Sequence, residues 1–189
     1  MLLRADVIHS KARAVVRRCG TRDALAVAEA LGVYVHRLEN LRDLLGMYTY
    51  RQRERHILLN ARMEPGLMQL VCAHELGHDA LHRQLARGGA LPEFSLFDMR
   101  TAPEYEANAF AAHLLLDDVA VLEHLRQGRD VAELAALLGV HLNLVLVKLH
   151  EMNRLGWQLE LPYVPRGDFL GKIKPEEGSG LGGTDVPCH

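Results

Sequence analysis

Residues Cys72 to His82 read CAHELGHDALH, with histidines at 74, 78 and 82 and a glutamate at 75. On a helix, His74 and His78 stand one turn apart on one face, close enough for two imidazoles to share one ion. Glu75 is rotated about 100° from His74 and flanks that ion, where a general base belongs. One Zn²⁺ is the expected metal, because imidazole and carboxylate donors suit it and an open coordination position admits water. Zinc can lower the pKa of water to about 7. Glu75 would take the water's proton, the water oxygen would attack a peptide carbonyl, and the proton would pass to the leaving amine.

A third protein donor is needed, and His82 is a poor one. Eight residues of straight helix carry it about 12 Å from His74, whereas Zn–N bonds are about 2 Å. No glycine between His78 and His82 turns the chain back. His82 is expected to hydrogen-bond or pack near the site. The stretch PEYEANAFAAHLLL offers a better donor. At helical spacing Glu104, Ala107, Asn108 and Ala111 share one face. Glu104 is the expected third ligand, and Asn108 a hydrogen-bonding partner for a ligating histidine. Glu106, about 200° away from Glu104, is the weaker alternative and faces elsewhere. Gly77 lies between the two histidines, where it costs about 1 kcal/mol of helix stability against alanine. Bare backbone there would let the glutamate helix approach closely. The reaction also needs an electrophile for the oxyanion or a substrate contact. Tyr48, Tyr50, Tyr105 and His113 are the open alternatives.

These residues need a scaffold. Residues 5–32 read as a helical hairpin, with stops at Gly20 and Gly32 and Thr21 as the second cap. GVYVHRLENL is β-rich. Residues 46–60 read as a hairpin, Met47–Tyr50 and His56–Asn60 about a solvated turn over Arg51–Arg55. Gly46–Tyr50 is expected to offer an edge strand to an extended peptide. Glu64-Pro65-Gly66 opens the active-site helix, 66–87. ALPEFSLFDMRTAP reads as a loop, then come a glutamate helix at 104–116 and C-terminal helices at 130–156. The fold class is α+β, mostly helical: one domain over 1–161, then a Pro/Gly-rich tail, 162–189, expected to be disordered or loosely packed.

GMYTYRQRERHILLN, VCAHELGHDALH and EYEANAFAAHLLL, in that order, resemble the ImmA/IrrE family of metallo-endopeptidases. The resemblance implies a minimal zincin-like fold with a small curved sheet. It implies zinc ligands His74, His78 and Glu104, with Glu75 as catalytic base. It further implies a bacterial or phage-borne endopeptidase whose protein substrate is a helix-turn-helix (XRE-type) repressor of a mobile element, prophage or stress regulon. One departure is visible: Asp117 and Asp118 follow HLLL where the family commonly has proline.

Other classes are disfavoured. A net charge of -2 and a pI near 6.6 exert no global pull toward nucleic acid or anionic membrane. No apolar run is long enough to span a bilayer, and the N-terminus does not read as a signal peptide. Three widely spaced cysteines make no disulfide framework, so the cytoplasm is expected. VAELAALLGVHLNLVLVKLHEM has helix-turn-helix rhythm about Gly139 but offers only Asn143 and Lys148 for reading bases. Direct nucleic-acid binding is not expected, and packing on the core or on a partner is. The alternative is a DNA- or partner-binding regulator whose zinc is structural or sensory.

Overall fold

The computed structural model describes residues 2–87, 89, 91–93, 97 and 99–161. The tail from 162 lies outside them. α1 (Ala5–Cys19) ends where Gly20 adopts φ 69°, left-handed backbone that glycine takes without steric cost. α2 (Ala24–Ala30) is capped by Asp23, whose side chain accepts from the Ala26 amide at 2.8 Å. Thr21, the expected cap, instead accepts from the Asp23 amide at 3.1 Å. The chain runs on past Thr21 before the helix starts, so the later carboxylate meets the free N–H groups.

Among the described residues the sheet has four strands: β1 (Tyr34–Leu38), β2 (Gly46–Arg51), β3 (Glu54–Asn60) and β4 (Leu91–Glu93). Their order is β1-β3-β2-β4. β1 runs parallel to β3, and the other pairs are antiparallel. The β2–β3 hairpin turns on Gln52 and Arg53, at φ 52° and 69°. Two left-handed residues match the strand twist, so the turn is tighter than expected and the strands run closer to it. The loop expected after residue 90 contains β4, too short to show alternation in the sequence. β4 pairs with β2 at Gly46, Met47 and Tyr48. The expectation that Gly46–Tyr50 is a free edge therefore fails over those three residues.

α3 (Pro65–Leu81) begins with proline in its first turn and buries nearly its whole circumference from Leu70 to Asp79. It stops earlier than the expected 66–87 span. His82 leaves the helix at φ -124°, and the short α4 (Arg83–Ala86) follows. α5 (Ala102–Leu115) is capped by Thr101 and carries Pro103 in its first turn. α6 (Asp118–Arg126) is a further helix the sequence reading missed. Asp117 caps it, accepting from Val119 and Ala120 at 3.0 and 3.2 Å. Asp117 and Asp118 thus cap and begin α6.

α7 (Val131–Leu138) and α8 (Leu142–Arg154) meet at a bend of 114°, with Gly139 at φ 62°. α8 lies on α5 and buries Asn143 and Lys148. Lys148 Nζ pairs with Asp118 and lies 3.1 Å from His113 Nδ1. The two side chains that would read bases are thus turned into the protein. Among the described residues no single helix is long and apolar enough to cross a membrane.

This buried charge cluster makes an acid-stability prediction. Burial pushes the Asp118 and Glu151 carboxyls up. Lys148 outweighs that at Asp118, and His113, Tyr105 and Arg154 outweigh it at Glu151, so both settle at about 2. A carboxyl depressed on folding contributes stability that is present above its unfolded pKa and lost as pH falls through the folded one. The unfolding midpoint should therefore drop between pH 4.5 and about 2. Asp118→Asn should flatten that slope in thermal melts; an unchanged slope would assign it to other carboxylates.

Candidate metal centre

Three faces of α3 have different neighbours. Taking His74 as zero, His78 stands at about 40°, Glu75 at about 100°, Asp79 at about 140° and Gly77 at about -60°. The Gly77 side meets α5: an added Cβ would lie 2.9 Å from Ala107 Cα and 3.0 Å from its carbonyl oxygen. The Glu75 and Asp79 side meets β2. The two histidines face the wedge between them, and α5 brings Glu104 into it.

In that wedge His74 Nε2 and His78 Nε2 are 3.1 Å apart. Glu104 Oε2 is 3.2 Å from the first and 3.6 Å from the second. Tetrahedral bonds of about 2.0–2.1 Å place donor atoms about 3.3 Å from one another, so this triangle has the size of a zinc donor set. Both imidazoles are buried, and Glu104 is the member that reaches solvent, with its side chain 27% exposed. Burial lowers His78 to about 4, which keeps it neutral near pH 7. Burial raises the Glu104 carboxyl, but the adjoining His74 and His78 imidazoles outweigh it and hold it below the usual carboxylate range. A neutral His78 beside an ionised Glu104 is the pairing of states that metal binding requires. Cys72 lies nearby in sequence but is a poor thiolate donor, because burial pushes it up to about 12.

Asn108 takes the place expected of it. Its Nδ2 donates to the Glu104 carbonyl at 2.9 Å, which turns its Oδ1 to His74 Nδ1 at 3.2 Å. His74 therefore carries its proton on Nδ1 and offers the Nε2 lone pair to the triangle. His82 stands outside the triangle, with Nδ1 3.0 Å from His78 Nδ1 and Nε2 2.9 Å from Glu106 Oε2. Glu106 is buried and engaged there, although the sequence reading had it facing elsewhere.

The structure does not bring the four possible electrophiles to the triangle. The Tyr48 hydroxyl donates to Asp79 Oδ1 at 2.7 Å, and burial together with that bond pushes its phenol well above the ordinary range. Tyr50 lies under Arg87, about 13 Å along β2 from the point where the strand meets Glu75. The Tyr105 hydroxyl donates to Glu151 on α8. His113 follows Glu104 by nine residues, half a rotation around α5, and is buried beside Lys148. His9, His113 and Asp118 also cluster within 4.8 Å, but the Lys148 ammonium already supplies that cluster with a cation.

Gly46, at the head of β2, is a position the sequence reading missed. A Cβ there would lie 2.5 Å from Val71 Cγ1 and 2.9 Å from Glu75 Oε1. Only a bare α-carbon lets the strand pass this close to the glutamate. A single glycine before a strand carries no such signal in the sequence. Gly46→Ala should displace the Glu75 carboxylate and lower by about tenfold or more the turnover of any hydrolysis that uses it as a base, leaving the metal content of the triangle unchanged. Kinetics beside metal analysis would check it; wild-type turnover would show that Glu75 has room to yield.

A protein-family model, the IrrE N-terminal-like domain of the peptidase M78 family, matches residues 28–150. The chain belongs to the peptidase M78 family. The matched span runs from α2 to α8 and contains all three corners of the triangle as well as Gly46, Glu75 and Asn108. The chain is also similar to "Uncharacterized immunity region protein 2" of Bacillus phage phi105. Identity is 28% over 142 residues, covering 75% of this chain and 89% of the phage protein. The α+β architecture, with a small mixed sheet against the HExxH helix and a glutamate-bearing helix on its other side, fits a minimal zincin-like peptidase M78 fold. Membership supports metallopeptidase-type chemistry for the chain.

Proposed function

We propose that this chain is a cytoplasmic zinc endopeptidase that cleaves a helix-turn-helix repressor. The observation that carries the reading is the triangle of His74, His78 and Glu104, with sides of 3.1, 3.2 and 3.6 Å. These three would hold one Zn²⁺, which when bound supplies Lewis acidity toward water and the scissile carbonyl. Glu75 acts as general base: its carboxylate takes a proton from the attacking water and gives it to the departing amine. The C–O bond forms first, and the C–N bond breaks as the adduct collapses and the amine takes the proton from Glu75, so one water is consumed for each bond cut. Gly46 lies against the carboxylate from the β2 side. α5 fixes the ligands from the other, through Glu104 itself and through Asn108. The free thiols of Cys19 and Cys72 suit a reducing compartment.

The substrate class rests on family membership and on the phage relative, whose name places it in an immunity region. A repressor encoded beside this chain is therefore the substrate to test. Purified chain with one equivalent of zinc should cut that repressor at a defined bond, and a chelator should stop cleavage until zinc is restored. An uncut repressor with zinc bound would reject the substrate assignment. Cleavage that survives exhaustive zinc removal would reject the metal mechanism.

A further inference from the structure

α5 supplies more than one ligand to the triangle. Three of its residues at alternate positions, Glu104, Glu106 and Asn108, each meet a different part of the site. Glu104 is a corner, and Asn108 sets the proton on His74. Glu106 reaches the site indirectly, because α3 breaks at Leu81 and the His82 ring turns back between His78 and α5.

The polarity of that chain of contacts can be worked out from one end. The backbone N–H of Leu3 can only donate, and it donates to Glu106 Oε1 at 2.7 Å. A carboxylate accepts at both oxygens, so Glu106 Oε2 takes the Nε2–H of His82 at 2.9 Å. A neutral imidazole has one N–H, so His82 Nδ1 is then an acceptor. Across 3.0 Å it takes the Nδ1–H of His78. The proton of His78 is thereby held on Nδ1, away from the triangle, and its Nε2 lone pair points in.

We propose that His82 and Glu106 are positioning residues, a buried relay that sets the tautomer of His78 and presents its Nε2 lone pair to the metal. This rests on the metal reading of the triangle. The two ligating histidines are thus oriented by different devices, an α5 amide for His74 and, for His78, the His82 imidazole backed by an α5 carboxylate. The carboxylate is specifically required. A glutamine at 106 has one acceptor and one donor end. If its oxygen faces His82, its NH₂ meets the Leu3 N–H, donor against donor. If its oxygen faces Leu3, its NH₂ demands an acceptor at His82 Nε2, which reverses both imidazoles. The first choice leaves a buried donor–donor clash, and the second moves the His78 proton to Nε2, where the metal would bind.

The test compares the full chain with Glu106→Gln, His82→Ala and His82→Asn, titrating zinc against a competing chromophoric chelator. Glu106→Gln and His82→Ala should weaken zinc binding about 10- to 100-fold with the stoichiometry still one. His82→Asn should recover most of the affinity, because its Oδ1 stands where Nδ1 accepted; a purely packing role would not be rescued this way. Imidazole ¹⁵N NMR of the zinc-free chain gives an independent readout. His78 should carry its proton on Nδ1 in the wild type and shift toward Nε2–H in Glu106→Gln. Zinc affinities within about twofold of wild type in both weakened variants, or His78 protonated on Nε2 in the wild type, would overturn the relay. A wild-type chain that takes up no zinc would overturn the metal reading itself, and the relay with it.

Discussion

Glu75→Gln is expected to abolish peptide cleavage while zinc stays bound. The loss should be at least about 100-fold and as much as about 10⁴-fold, the range that a positioned general base contributes. Glutamine has nearly the shape of glutamate, so the close packing against Gly46 survives. The triangle survives too, because its three corners are His74, His78 and Glu104. What disappears is a carboxylate able to hold a proton between water and the leaving amine. Metal analysis and cleavage kinetics on the same preparation would separate the two properties. Activity within about threefold of wild type would remove Glu75 from the mechanism. Zinc loss would mean that the glutamate helps hold the ion. The same variant addresses the rival reading, since a regulator with a structural or sensory zinc would keep its full function.

The second large effect is expected from Gly77→Ala. On an isolated helix this change is favourable by about 1 kcal/mol. Here the new methyl would meet Ala107 Cα at 2.9 Å and its carbonyl at 3.0 Å, backbone that can yield only if α5 moves. Overpacking of this kind costs about 1–3 kcal/mol, so the net change is destabilising. Glu104 lies less than one turn before Ala107, so moving the helix away also opens the triangle. Zinc affinity should fall about tenfold or more, with a lower unfolding midpoint. Ala107→Gly should not rescue it, because the closest contacts are with backbone rather than with the Ala107 methyl. Rescue would show that only the side chains collide. A rise in stability would show that α3 and α5 are less tightly apposed than the structure has them.

Much of the site was legible because it lies within single helices, where spacing alone determines which side chains share a face. His74, Glu75 and His78 are of this kind, and so is the pairing of Glu104 with Asn108. Gly77 was legible for a related reason: a glycine inside a strongly helical, apolar run is a local loss that only a close neighbour explains. The hairpin was readable from its alternation, and most helices from their caps and stops. α6 was passed over, although the Asp117 and Asp118 that open it were noticed as a departure from the family.

Residue spacing thus points to the candidate donor set, its order along α3 and α5, and the glutamate proposed as general base beside it. Which other polar groups lie near that set follows only from how the helices and strands pack. Tyr48, Tyr105 and His113 look available in a linear reading, but each is engaged elsewhere once α3, α5 and α8 pack together. Glu106 looked misdirected, yet the break after Leu81 swings His82 into its reach. Gly46 looked like an ordinary strand start until β2 was laid against Glu75. The physical reason is the same in each case. Helical periodicity is local and written in the spacing of residues, whereas a helix end, a strand crossing or a hydrogen-bond partner depends on what another part of the chain brings up to it.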